Sequence, residues 1–157
     1  MYIILIVILL ILLIQTKKHE YFENKARVAL CISGELRNYK EFCDNIYENI
    51  IKIHNPDVFV YIYDRNETYQ SEYLLNKLKP KKMVITQNLP YGIKQFNKNM
   101  VSMFEKIYHC NELKKSYEIT HNFKYDIVIK IRPDLFVNNI LNFNNFFTKS
   151  LYIPSYK

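Results

Sequence analysis

Two short polar clusters stand out in this chain, and each comes directly after an apolar run. The first is Ser33-Gly34 with Arg37 close behind, and the second is Arg132-Pro133-Asp134. Glycine permits a tight turn or a close approach of the backbone to a ligand, and arginine presents a planar fork of N–H donors that matches phosphate oxygens. Aspartate supplies carboxylate oxygens for a divalent cation. The two clusters are therefore candidates for binding a phosphate-bearing ligand.

Each cluster also has a purely structural explanation. Gly34 can serve the turn alone while Arg37 lies in solvent, and Arg132 can form an ion pair with Asp134. Asp64, after the second apolar run, can reach the same region or cap the next turn. Residue spacing leaves both explanations open at all three places.

The elements that must position these residues follow from apolar patterning. Continuous apolar runs predict four strands buried on both faces, as in a parallel sheet: 28–32, 58–63, 83–86 and 125–131. Helical periodicity predicts three helices between them: from Asn38 to Asn55, over 68–78, and over 96–117. This alternation predicts an α/β fold, a Rossmann-like and mainly parallel sheet with flanking helices. Its ligand crevice should lie outside the carboxyl ends of the strands.

The same periodicity predicts which helix faces are buried. In the first helix, Phe42, Ile46 and Ile50 form an apolar stripe, with Ile53 beside it. In the third helix, Met100 and Phe104 belong to a set of apolar residues at helical spacing. We expect both sets to face the core.

The first residues of the chain predict a membrane anchor. Tyr2–Ile14 are thirteen consecutive apolar residues, and no small-x-small cleavage site follows them. We therefore expect an uncleaved, single-pass signal-anchor helix over 1–16, with membrane contact through residues 2–16, then a linker over 17–26 and one domain over 27–157. Lys17 and Lys18 favour a cytosolic domain, whereas the sequon at Asn66 could carry a glycan only in a lumenal one. The side of the membrane stays open.

The amino-acid composition narrows the possible partners, metal sites and disulfide bonds. The formal net charge of +7 is spread over the chain without a basic block, so no nucleic-acid partner is expected. The three cysteines show neither CxxC spacing nor an even number, which predicts small core residues rather than a zinc site or disulfide framework. The four histidines show no ligand spacing.

Residues 27 to about 157 resemble glycosyltransferase-like proteins of large DNA viruses and polysaccharide clusters, whose domain opens with a strand and Ser-Gly-x-x-Arg. Here that motif is Ser33-Gly34-Glu35-Leu36-Arg37. The similarity continues over 102–108, 110–113 and 125–135, which contains Arg-Pro-Asp-Leu at 132–135.

The resemblance implies the nucleotide-binding half of a GT-A fold, with a nucleotide sugar as donor substrate and sugar transfer as the reaction. It implies Ser33, Gly34 and Arg37 at the nucleotide, and Arg132 and Asp134 as catalytic residues at the diphosphate or donor sugar. GT-A enzymes commonly place Asp-x-Asp here to hold Mn²⁺ or Mg²⁺. Asp134 would be the metal ligand, but Arg132 stands at the first acidic position, where its charge would compete with a metal or replace it.

The chain ends soon after these motifs, so we expect a C-terminally short member of such a family. An alternative is a non-catalytic, membrane-tethered interaction module of the same fold. Nucleic-acid binding through the basic surface ranks last.

Overall fold

The structure, a computed structural model, describes residues 26–35, 39–63, 69–86 and 98–139. Their strands form one four-stranded sheet in the order β3-β2-β1-β4, and every neighbouring pair is parallel. The strands are β1 (Val28–Glu35), β2 (Asp57–Tyr63), β3 (Lys82–Thr86) and β4 (Ile127–Ile131). The α/β class and the parallel sheet predicted from apolar runs are therefore confirmed.

The central strands β1 and β2 are buried on both faces because helices cover both sides of the sheet. Leu30 and Ile32 face one core, formed with the first two helices, whereas Ala29 and Cys31 face a second core that contains Cys110 of the third helix. Side chains alternate between faces along a strand, so a continuous apolar run is buried only when both faces of the sheet are covered.

The first helix, α1, begins at Tyr39 and contains a π-helical segment. Its α-helical part is Tyr39–Ile46, the π-helical part is Tyr47–Ile51, and Lys52–His54 complete it before Asn55 takes a left-handed conformation. The predicted stripe of Phe42, Ile46 and Ile50 is fully buried. Ile53 is exposed instead, contrary to the prediction, because the wider π turn rotates the last residues away from the apolar stripe.

The second helix, α2, covers Tyr69–Leu78 and buries Leu74 and Leu78 in the same core as α1. The third helix, α3, covers Lys98–Thr120 and is the longest described helix, with 23 residues. It lies on the opposite face of the sheet, where Cys110 packs against Ala29 and Phe59. The predicted positions of both helices are confirmed within a few residues.

The orientation of α3 differs from the prediction in its first half, whereas Leu113 and Tyr117 of the predicted apolar set pack against the core, partly buried. Met100, Phe104 and Tyr108 are 47%, 58% and 59% exposed and point away from the sheet. The buried positions form an i, i+4 stripe around a single cysteine: Ser102, Lys106, Cys110, Lys114 and Glu118. The stripes lie on opposite sides of the helix, so burying the second leaves the first in solvent.

The predicted anchor over 1–16 and most of the linker lie outside the described residues. Within the described part of the chain, no helix combines the length and apolar content that a membrane span requires.

Candidate functional site

The two predicted polar clusters meet at the point where the strand order reverses. Strands β1, β2 and β3 follow each other in one direction, and the chain then returns past them to place β4 on the other side of β1. The carboxyl ends of β1 and β4 are neighbours, since Ile32 pairs with Ile131. In open parallel sheets this is the position of the ligand crevice.

Gly34, at the end of β1, is held against Pro133, which follows β4. Gly34 has a φ of +151°, and a Cβ atom placed there would lie 2.7 Å from the Cδ atom of Pro133. Few residues other than glycine adopt such a φ. Gly34 thus does more than permit a turn, because its missing side chain makes room for a fully buried proline ring.

Arg132 and Asp134 form the ion pair that was one of the two alternatives. Arg132 Nε donates to Asp134 Oδ1 at 3.0 Å, and Arg132 Nη2 donates to Oδ2 at 2.5 Å. This two-pronged arrangement orients the guanidinium, and half of the Arg132 side chain is exposed. Arginine carries five N–H donors. Those that Asp134 does not use have no hydrogen-bond partner among the described residues.

Two asparagines on α1 hold the segment that follows β4. Val137 N donates to Asn45 Oδ1 at 2.8 Å, and Asn45 Nδ2 and Asn49 Nδ2 each donate to Val137 O at 3.1 Å. Both polar groups of the Val137 backbone are therefore satisfied by side chains of another element. This clamp fixes the chain just beyond Arg132-Pro133-Asp134 and so restricts where that cluster can lie.

A second group of polar residues borders the same edge on the face covered by α3. Ser33 of β1 is buried, and by strand alternation it shares that face with Cys31. Lys106 is only 8% exposed, and its Nζ lies 5.2 Å from the centre of the Tyr63 ring at the end of β2. One turn earlier on α3, Ser102 is 6% exposed, and its Oγ has no hydrogen-bond partner among the described residues.

At the opposite end of the buried stripe of α3, the charged side chains are paired with each other. Lys114 Nζ donates to Glu118 Oε2 at 2.8 Å, and Tyr125 N donates to Glu118 Oε1 at 3.1 Å. Burial alone would raise the pKa of Glu118, but these two hydrogen bonds and the Lys114 charge lower it below its usual value. The Lys114–Glu118 pair lies near the amino ends of the strands, and the two charges compensate each other.

The three cysteines are buried free thiols, which confirms their predicted place in the core. A hydrogen bond with Cys110 lowers the pKa of Cys31, whereas the same contact and burial raise the pKa of Cys110. Burial raises the pKa of Cys43 to about 12. Among the described residues, no three His, Cys, Asp or Glu side chains are grouped as a metal site would require.

The structure brings four of the six predicted site residues together. Ser33, Gly34, Arg132 and Asp134 are brought to one edge of the sheet, whereas Arg37 and Asp64 lie outside the described residues. Asp134, the predicted metal ligand, directs both carboxylate oxygens to Arg132. The described residues therefore do not fit a Mn²⁺ or Mg²⁺ site.

Sequence reasoning missed four residues that shape or border this edge: Asn45, Asn49, Ser102 and Lys106. For the last two a signal existed, since Ser102, Lys106 and Cys110 are spaced by four residues. The stripe with Met100 and Phe104 has the same spacing and is more apolar, so the sequence pattern predicts that stripe as the buried face. The asparagine clamp has no local signal, because its partner Val137 lies 92 residues from Asn45.

Fold and site together define an α/β protein with a parallel sheet and polar side chains at the carboxyl edge of its strands. The family model for a domain of unknown function (DUF7796) matches residues 23–157, and the chain belongs to that family. Comparison with curated proteins finds no significant match, and neither does comparison with solved structures.

Proposed function

We propose that this domain binds a nucleotide sugar at the carboxyl edge of its sheet, as the Rossmann-like, nucleotide-binding half of a GT-A-like glycosyltransferase does. The observation that carries this proposal is the meeting of the two polar clusters at the strand-order reversal, through the contact of Gly34 with Pro133. Ligands of open α/β sheets bind at such a point.

Arg132 is the residue best suited to a phosphate oxygen. Asp134 orients its guanidinium without covering it, and the exposed half of the side chain leaves N–H donors for an anion. The proposed reaction is sugar transfer, with Arg132 and Asp134 beside the reacting diphosphate. This part of the proposal comes from the resemblance to glycosyltransferase-like proteins. No metal enters the proposal, because the charge of Arg132 supplies what a cation would otherwise supply there.

Thermal unfolding of the full chain in a mild detergent, with UDP-, GDP- and CDP-sugars and with or without Mn²⁺, tests donor binding. A ligand at about 100 times its dissociation constant stabilises the folded state by about 2.7 kcal/mol, which is readily measured as a shift in Tm. Failure of every donor to raise the Tm would refute the proposal.

Arg132→Gln should weaken donor binding about tenfold, the loss of one charge-assisted hydrogen bond, while the fold is retained. Lys124→Gln is a matched control on an exposed residue near the amino ends of the strands. Equal affinities of the two variants would exclude Arg132 from the site.

The second candidate is a non-catalytic interaction module tethered to a membrane through residues 2–16. The observation in its favour is the exposed outer face of α3, with Met100, Phe104 and Tyr108. Substituting Arg132 and Asp134 together separates the candidates. Lost ligand binding with the fold intact favours the donor site, and lost folding favours a structural ion pair.

A further inference from the structure

Two of the three cysteines meet between β1 and α3. Cys31 of β1 and Cys110 of α3 belong to the same core, on the face of the sheet that α3 covers. Cys110 Sγ lies 3.5 Å from the carbonyl oxygen of Ile32, the residue after Cys31. It also lies 3.5 Å from the carbonyl oxygen of Phe59, which pairs with Cys31 in the sheet. Cys110 is therefore placed directly over Cys31, and the two thiols are hydrogen-bonded to each other.

The sheet separates the third cysteine from this pair. Cys43 of α1 is buried in the core on the opposite face, so its thiol reaches neither of the other two in the folded protein. Along the chain, however, Cys43 is the cysteine nearest to Cys31. The fold rather than the sequence therefore decides which two thiols can join.

The surroundings of the pair make Cys31 the more reactive thiol. The hydrogen bond with Cys110 lowers the pKa of Cys31 although burial opposes it, and the charges of Lys114 and Lys130 lower that pKa further. The same hydrogen bond and burial raise the pKa of Cys110, which keeps its proton. The thiolate is the form of cysteine that peroxides oxidise, and a neighbouring thiol then resolves the product to a disulfide.

We propose that Cys31 and Cys110 form a reversible disulfide, which links β1 to α3 when the protein is exposed to hydrogen peroxide. The Cys31 thiolate bonds to one peroxide oxygen, the O–O bond breaks, and hydroxide leaves, so that Cys31 becomes a sulfenic acid. The sulfur of Cys110 then bonds to that of Cys31, the S–O bond breaks, and the leaving hydroxide takes the Cys110 proton as water. The first hydroxide takes up the proton that Cys31 gave to solvent. Each sulfur loses one electron, and one peroxide is reduced to two waters.

Hydrogen peroxide suits this pair because both thiols are almost fully buried. Cys31 is 2% exposed and Cys110 is 1% exposed, so a bulky disulfide oxidant cannot reach them in the closed fold. A small neutral oxidant can enter during local opening of the fold. Since β1 ends at Ser33-Gly34-Glu35, the bond would attach α3 covalently to the strand that leads into the candidate site.

Peptide mapping of the full chain in detergent tests the inference directly. The protein is treated with graded hydrogen peroxide, and the remaining thiols are alkylated in denaturant. The folded protein should yield one linked pair of peptides, with Cys31 joined to Cys110 and Cys43 alkylated, and dithiothreitol should remove the link. In concentrated urea, Cys31 should instead join Cys43 roughly tenfold more often than Cys110, because the shorter loop closes with a smaller loss of entropy.

Two variants serve as a matched pair. Cys43→Ala removes a buried thiol and should leave the link between Cys31 and Cys110 unchanged. Cys110→Ala should abolish the link and leave Cys31 as a sulfenic acid, which dimedone captures once the protein is unfolded. The map of the unsubstituted chain decides the matter even if Cys110→Ala does not fold.

Three results would overturn the inference. The first is a link to Cys43 as the main product in the folded protein. The second is sulfinic acid at Cys31 without any disulfide. The third is recovery of all three thiols unmodified at peroxide concentrations that oxidise the urea-unfolded chain, which would show that Cys31 and Cys110 are inert parts of the core.

Discussion

Replacing Gly34 by alanine tests most directly whether the contact between Gly34 and Pro133 holds the carboxyl edge of the sheet together. The substitution adds a Cβ atom 2.7 Å from Pro133 Cδ, at a backbone position with φ of +151°. A non-glycine residue in such a conformation costs about 1–3 kcal/mol. Overpacking a closed core costs about 1–3 kcal/mol more. We therefore expect Gly34→Ala to lower the free energy of unfolding by about 2–6 kcal/mol, a large share of the roughly 5–15 kcal/mol of a typical domain.

Urea unfolding of the full chain in a non-denaturing detergent would measure this loss. With a urea m-value of about 1–3 kcal/mol/M, a loss of about 3 kcal/mol lowers the midpoint by about 1–3 M. Ala29→Gly is a comparison on the same strand, where the conformation is regular and the change removes only a methyl group.

A double-mutant cycle with Pro133→Ala isolates the contact itself. If the ring of Pro133 opposes the new Cβ, Gly34→Ala should be less harmful in the Pro133→Ala background, by about 1–2 kcal/mol. Additivity within about 0.5 kcal/mol would show that the backbone conformation alone accounts for the loss. A loss below about 1 kcal/mol for Gly34→Ala would refute the reasoning altogether.

Three further predictions concern the clamp and two titratable groups. Asn45→Ala removes two hydrogen bonds to Val137 and takes away the acceptor of Val137 N, so it should cost about 1–3 kcal/mol in urea unfolding. Asn49→Ala removes one hydrogen bond to Val137 O and one to Asn45 O. It should cost less, because Val137 O keeps the bond from Asn45 Nδ2; equal losses would contradict the clamp geometry. The lowered pKa of Glu118 means that the folded protein binds fewer protons at that group than the unfolded chain does. Its stabilising effect is therefore present above the usual glutamate pKa and lost as the pH falls through the lowered one. Glu118→Gln should flatten this acid-side loss in thermal unfolding between about pH 3 and 6, and an unchanged profile would exclude the group. Cys43, with its pKa raised to about 12, stays protonated in the fold while the unfolded thiol ionises above its ordinary value of 9.0. Stability should therefore fall as the pH rises from about 9 to 12, and Cys43→Ala should lessen that fall; the same slope in both proteins would contradict it.

The strands and helices of this domain follow from local sequence. The apolar run at the start of β1 predicts a strand that is buried on both faces, because none of its side chains is polar and suited to face solvent. The buried stripe of Phe42, Ile46 and Ile50 was likewise predictable, because these three apolar side chains recur every four residues and so share one face of α1.

Half of the candidate site was also predictable. Polar residues directly after a parallel strand must lie at the carboxyl edge of the sheet, which places Ser33 and Arg132 together once β1 and β4 are neighbours. The choice between ligand contact and ion pair for Asp134 was not predictable, because both use the same residues at the same spacing.

By itself, the sequence determined the order of the elements, the parallel sheet and the edge at which its polar residues gather. Only the tertiary structure decided the face that α3 turns inward, since two stripes of equal spacing compete on that helix. The small side chains of Ala29 and Cys31 receive Cys110, and that contact turns Ser102 and Lys106 inward and leaves Phe104 outside. The pairing of Gly34 with Pro133 was settled in the same way, because its two residues are far apart in the chain and meet only when β4 pairs with β1.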